Sequence, residues 1–255
     1  MALLEVEHLY KSFGGVKAIL DFSFMINPGE IKGIIGPNGA GKTTIFNVIT
    51  GVYEADAGQI TFNGKEITKD EQYKRTLAGI GRTFQNIRLF KGLNVLENVQ
   101  CAFDPVAKYS IAESFLPLPR RLQAEKENRK KSETFLELVG LQKYKYQKPE
   151  NMAYGLQRRL EIARALACQP KLILLDEPAA GLNPTEVGDI THLIRHLADE
   201  MGLAIMLIEH RLELVMSISH TITVQNFGET IAVGTPSDVK NDPKVIEAYL
   251  GRGDA

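Results

Sequence analysis

Eight residues constrain this chain more than any others: Gly36, Pro37, Asn38, Gly39, Ala40, Gly41, Lys42 and Thr43, followed by Thr44. They fit the spacing G-x-x-x-x-G-K-S/T at every fixed position. An apolar run from Ile31 to Ile35 precedes them. Lys42 to Thr50 reads as a helix, with Gly51 as its C-terminal stop. Glycines let such a turn curl until its N–H groups point inward at an anion. The helix behind it adds the partial positive charge of its N-terminus. An ammonium at Lys42 suits the β- and γ-phosphates of a nucleotide, and a hydroxyl at Thr43 suits Mg²⁺. The segment predicts a nucleotide-binding turn between a buried strand and a helix.

A phosphate site of this kind needs a carboxylate to help hold the metal. Leu172 to Leu175 is apolar and ends on Asp176 and Glu177. A carboxylate that closes a strand emerges at the C-terminal edge of the sheet, where ligands of open α/β folds bind. Asp176 is expected to support the metal and Glu177 to polarise the attacking water. His210 follows the apolar run Leu203 to Ile208 and is expected at the same edge, beside the γ-phosphate. Gln85 stands where the α/β pattern gives way to helices, and its amide suits contact with metal or water.

The rest of the chain supplies a frame for these groups. Residues 4–26 read as two short strands with a hairpin at Gly14 and Gly15. Gln59 to Phe62 reads as a strand closed by the turn Asn63–Gly64. From Gln85 to Ala153 charges cluster among helical apolar spacings such as Phe135, Leu138 and Val139, which predicts a mainly helical insert. Asn183, Pro184 and Glu186 spell a helix start, and Val187, Ile190, Ile194 and Leu197 its buried face. Continuous apolar strands between helices predict a parallel sheet covered on both faces. The 255 residues suit one large domain, and a net charge of -1 argues against a nucleic-acid partner. Cys101 and Cys168 are far apart without metal-ligand spacing and read as reduced packing residues. Neither a signal peptide nor a membrane-spanning run is expected.

In this order, the motifs resemble those of ABC transporter ATP-binding subunits over the whole chain. The resemblance implies an α/β P-loop NTPase core with a mixed sheet, a small antiparallel β subdomain and a helical subdomain insert. It implies one domain over 1–255, with the RecA-like core and β subdomain in 1–85 and 155–255 and the helical subdomain in 86–154. Ala153, Tyr154, Gly155, Leu156 and Gln157 look like the family signature, which acts on a partner's ATP. Ala180, Gly181, Leu182 and Asn183 look like the D-loop, Gln85 like the Q-loop glutamine and His210 like the switch histidine. Phe13 falls where the family stacks an aromatic on adenine. The signature departs from Leu-Ser-Gly-Gly-Gln, because Ala153 replaces the serine. A lost hydrogen bond to a charged phosphate implies a weaker half-site by about 1.5–3 kcal/mol.

Arg82 to Phe90, the Ala153–Tyr154–Gly155 signature, the run Asp176 to Pro184 and the ending Ala248–Tyr249–Leu250–Gly251 narrow the resemblance. They are similar to the larger ATPase of branched-chain amino-acid importers. ATP and Mg²⁺ are the implied cofactors. The implied partners are transmembrane permease subunits, a second ATPase subunit (paralogue or self) and, indirectly, a periplasmic binding protein. The implied location is the cytoplasmic face of the inner membrane. Two other readings stay open at this point: a soluble ABC ATPase without a transport role, and a scaffold that binds ATP without hydrolysing it. His192 and His196, four apart on a helix, are expected on a solvated face rather than on a metal.

Overall fold

Alternating burial organises the sheet. The computed structural model describes residues 2–106 and 119–250. Strands β3 (Ile31–Ile35), β6 (Ile80–Arg82), β7 (Leu172–Asp176), β8 (Ala204–Ile208) and β9 (Thr221–Asn226) run parallel. Strands β1 (Leu4–Phe13), β2 (Val16–Ile26), β4 (Ala57–Phe62) and β5 (Lys65–Glu66) pair antiparallel. β10 (Glu229–Gly234) joins the two parts, antiparallel to β9 and in parallel register with β2 at Leu20. The order is β5-β4-β1-β2-β10-β9-β3-β8-β7-β6. This is the mixed sheet with an antiparallel part that the sequence implies.

Each parallel strand sorts its side chains to two cores, because successive residues face opposite sides. Leu172, Leu174, Met206 and Ile208 face the core that holds helix α1 (Lys42–Ile49) and the antiparallel strands. Ile173, Leu175, Ile205 and Leu207 face the other core, covered by α5 (Tyr154–Ala167), α6 (Pro184–Asp199) and α7 (Leu212–Ile218). A strand buried on both faces has no polar side to alternate, which explains the unbroken apolar runs.

The helix starts and stops follow local chemistry. Asn183 caps α6 by accepting from the Glu186 amide, and the Glu186 carboxylate accepts from the Asn183 amide. Ile190, Ile194 and Leu197 are buried, Val187 is half-buried, and His192 and His196 are exposed. Gly51 closes α1 with φ 79°. Helix α2 (Gln72–Ala78), absent from the sequence reading, carries a buried arginine. Arg75 Nη1 donates to the Val48 and Ile49 carbonyls at 2.7 and 2.8 Å, satisfying acceptors at the end of α1.

Between β6 and α5 lie α3 (Val95–Gln100), a 3₁₀ turn (Cys101–Val106) and α4 (Pro119–Leu138). Phe103, Leu136, Val139 and Leu141 join the core under α5. Arg129 pairs with Glu133 at 3.8 Å on the exposed side. Cys101 and Cys168 are both half-buried. Residues 107–118, within the insert expected from Gln85 to Ala153, lie outside the described residues, as does the sequence Arg252–Gly253–Asp254. Helices α8 (Pro236–Asn241) and α9 (Pro243–Leu250) close the described fold. Among the described residues no helix is long and apolar enough to cross a membrane.

Leu207 lies within β8 and is fully buried. Leu207→Ala is expected to cost about 2–5 kcal/mol, through lost transfer energy and a residual cavity. Urea unfolding should show a lower midpoint at an unchanged slope.

Candidate functional site

The turn after β3 is held by close main-chain packing. Gly36 and Gly41 have φ of 149° and 94°. A Cβ at these positions would stand 2.0 Å from the Gln225 carbonyl oxygen and 2.2 Å from that of Ala18. Only glycine fits both the backbone and the space. Lys42 then folds back into the turn. Its Nζ donates to the Gly36 and Pro37 carbonyls at 2.6 and 2.9 Å. Burial pushes the Lys42 pKa down, while Glu177 and Asp176 oppose that shift.

A cavity of about 730 Å³ opens on this turn. Asn38, Gly39, Ala40, Gly41, Lys42, Thr43 and Thr44 line it, together with Gln85, Glu177 and His210. Residues far apart in sequence thus share one cavity, because β3, β7 and β8 are neighbours ending at one edge. Glu177 sits just past β7 with φ 50°, a left-handed conformation that is costly for a residue with a Cβ. The Glu177 amide donates to the Ile208 carbonyl at 2.8 Å, pinning the bend. Its Oε1 accepts from Gln85 Nε2 at 3.0 Å and lies 3.1 Å from His210 Nε2. Amide and imidazole therefore converge on one carboxylate oxygen.

Asp176 differs from its neighbour. It is 1% exposed and pairs with Arg82, Nη2 to Oδ2, at 3.0 Å. Burial pushes its pKa up, and Arg82 opposes the shift. Arg82 also donates to Asn47 Oδ1 at 2.6 Å, tying β6 to α1. Asp176 Oδ1 is buried with no hydrogen-bond partner. A buried acceptor without a donor is a place for a cation or its bound water. Among the described residues no group of three or more His, Cys, Asp or Glu could hold a metal alone. Mg²⁺ takes few protein ligands and completes its shell with phosphate and water.

Two residues the sequence reading passed over support the site. Glu209, 2% exposed, accepts from the amides of Ala179, at 2.6 Å, and His210, at 3.1 Å. It joins the segment before Ala180 to the one bearing His210. Arg82 escaped notice as a partner because it pairs across 94 residues of sequence.

Some expected site residues lie apart. Phe13 is absent from the cavity lining. Its ring packs edge-on against Tyr53 at 5.1 Å, and it pairs across the hairpin with Val16, which does line the cavity. Ala153, Tyr154, Gly155, Leu156 and Gln157 start α5 away from the cavity lining. Ala153 offers no side-chain cap there. Ala180, Gly181, Leu182 and Asn183 lead into α6, with Leu182 buried and its carbonyl accepting from Arg211 at 2.8 Å.

A glycine turn gripping an ammonium, faced by a carboxylate that an amide and an imidazole share, defines a nucleotide-dependent hydrolase of the P-loop class. The profile described as ABC transporter matches residues 19–180, and one described as branched-chain amino acid ATP-binding cassette transporter matches residues 229–255. The high-affinity branched-chain amino acid transport ATP-binding protein LivG of Escherichia coli is 42% identical over 98% of both chains. An ATP-binding cassette of an ABC transporter in its ADP conformation is similar with TM-score 0.86 and 35% identity, over 99% of this chain and 100% of that one. A dimeric cassette bound to ADP and Pi is similar with TM-score 0.76 and 25% identity, over 91% and 98%. The chain belongs to the ABC transporter family, as one of its ATP-binding ATPase subunits.

Arg82→Met is expected to destabilise the fold by about 3–5 kcal/mol, because it leaves the Asp176 charge buried without its partner. Adding Asp176→Asn should recover much of that loss. Chemical denaturation of the wild type, the single variant and the double variant measures both effects.

Proposed function

We propose that this chain drives import of branched-chain amino acids, coupling ATP binding and hydrolysis to movement of transmembrane permease partners. The convergence of Gln85 and His210 on Glu177, at the cavity that holds Lys42, carries the catalytic part of this reading. The names of the close relatives and the second profile over 229–255 support the substrate class.

The turn amides and Lys42 bind the phosphates of ATP, with Lys42 exchanging its main-chain carbonyls for phosphate oxygens. Phe13, across the hairpin from a wall residue of the cavity, takes the adenine. Thr43, Gln85 and Asp176 would hold Mg²⁺, which when bound offsets the charge on the β- and γ-phosphates. Glu177 orients the attacking water and draws its proton, while Gln85 and His210 fix the carboxylate and sense the γ-phosphate. The Ala153–Gln157 start of α5 and the D-loop, residues 180–183, face the ATP of a second ATPase subunit. In the dimer each site joins the turn of one chain to the signature of the other.

Residues 86–154 act as a helical subdomain moving against the core formed by 1–85 and 155–255. A groove of about 400 Å³ runs between them, lined by Arg75, Phe84, Arg88, Phe90 and Arg164 among others. We assign it to a cytoplasmic segment of the permease. The subunit works on the cytoplasmic face of the inner membrane, and a periplasmic binding protein delivers substrate to the permease.

Glu177→Gln should keep ATP affinity and lower steady-state phosphate release by about 10²-fold or more. Turnover like that of the wild type would remove Glu177 from the mechanism. Lys42→Ala should weaken nucleotide binding itself, and a labelled-ATP titration with unchanged affinity would count against the phosphate cradle. Vesicles carrying the assembled transporter should take up labelled leucine when ATP is supplied on the side of this subunit.

A further inference from the structure

Arg158 is the largest fully buried side chain among the described residues, and the mechanism above does not use it. It lies on α5, one turn past Tyr154. Its guanidinium spans two functional segments. Nη1 donates to the Phe84 carbonyl at 2.8 Å and to Glu161 Oε2 at 2.7 Å. Nη2 donates to the Gln85 carbonyl at 2.9 Å and to the Tyr154 hydroxyl at 3.0 Å. Glu161 completes the clamp by accepting from the Phe84 amide at 3.1 Å. The main chain of Phe84 and Gln85 is therefore held at both ends by one buried ion pair on α5.

The two ends of this clamp have different duties. Through its side chain Gln85 holds Glu177, which serves the chain's own cavity. Tyr154 begins the helix whose N-terminus is away from that cavity. Its ring also lies against Gly181 of the D-loop, where a Cβ would come within 3.1 Å of it. Glu177, Gln85, Arg158, Tyr154 and Gly181 thus form one connected path through hydrogen bonds and ring contact. A planar guanidinium with paired donors suits such a junction, because its N–H groups keep fixed relative directions. Lysine has a single ammonium and cannot hold the same four acceptors in one plane.

We propose that Arg158 is a positioning residue that transmits nucleotide occupancy at this chain's own cavity to the start of its signature helix. When Gln85 moves with the γ-phosphate, its carbonyl pulls on Nη2, and the Tyr154 hydroxyl on the same nitrogen follows. Tyr154 supplies the hydroxyl for that task. The inference rests on the nucleotide reading of the cavity.

Hydrogen exchange on the full chain, with and without a non-hydrolysable Mg·ATP analogue, tests it in the wild type, Arg158→Lys and Tyr154→Phe. In the wild type the analogue should slow exchange both at residues 36–44 and at 153–160. In each variant, at a dilution where the chain is monomeric and no partner nucleotide reaches 153–157, the response at 153–160 should fall about three-fold or more, while that at 36–44 stays within about two-fold. Variants that respond as the wild type does would overturn the proposal. So would a wild type that responds at 36–44 alone, or a Tyr154→Phe chain that loses both responses together. If Arg158→Lys fails to fold, Tyr154→Phe decides, since it removes one hydroxyl and keeps the ring on Gly181. A wild type without any response at 36–44 would instead sink the nucleotide reading, and this inference with it.

Discussion

Lys42 is a cation enclosed by its own main chain. Placing an ammonium in a protein interior costs several kcal/mol unless something replaces water. Here the Gly36 and Pro37 carbonyls do so, at 2.6 and 2.9 Å. In the same turn Gly36 and Gly41 take positive φ and pack against the main chain of Gln225 and Ala18. The cradle thus depends on β9 and β2 being where they are, and the sheet order depends on the two cores beside it. A ligand carrying phosphates meets a cation already desolvated and aimed.

Around that cation the protein buries further charge in matched sets. Arg82 with Asp176 joins β6 to β7, the Arg158–Glu161 pair on α5 holds the main chain of Phe84 and Gln85, and Glu209 holds the amides of Ala179 and His210. Buried pairs of this kind add little net stability over apolar packing, yet they penalise strongly any geometry that parts them. They therefore fix how the segments they hold are placed relative to one another.

The legibility of the chain follows from the range of each interaction. The glycine turn, the Asn183–Glu186 capping box and the Asn63–Gly64 hairpin are local, so residue spacing discloses them. Strands β7 and β8 are legible because burial on both faces forces continuous apolar runs. Helix α2 is hidden because its one buried side chain is an arginine, which any pattern of apolar residues misreads as surface. Strand β10 carries no fully buried residue and so shows no period. Phe13 has a legible position in sequence, but its ring rests on Tyr53, a contact no spacing announces.

What the sequence determined alone is the chemistry on offer: a phosphate cradle, two adjacent carboxylates, an imidazole and an amide, each at the end of a recognisable element. These are short-range facts, encoded by glycine, cap and strand-end residues within a few positions of one another. Only the tertiary structure decided which of them meet. Parallel pairing of β3, β7 and β8 brings their C-terminal ends to one edge, and a crossover sheet sets that order through long-range burial. For the same reason the partners of Asp176 and of the Gln85 main chain, Arg82 and Arg158, came from the fold and not from the pattern.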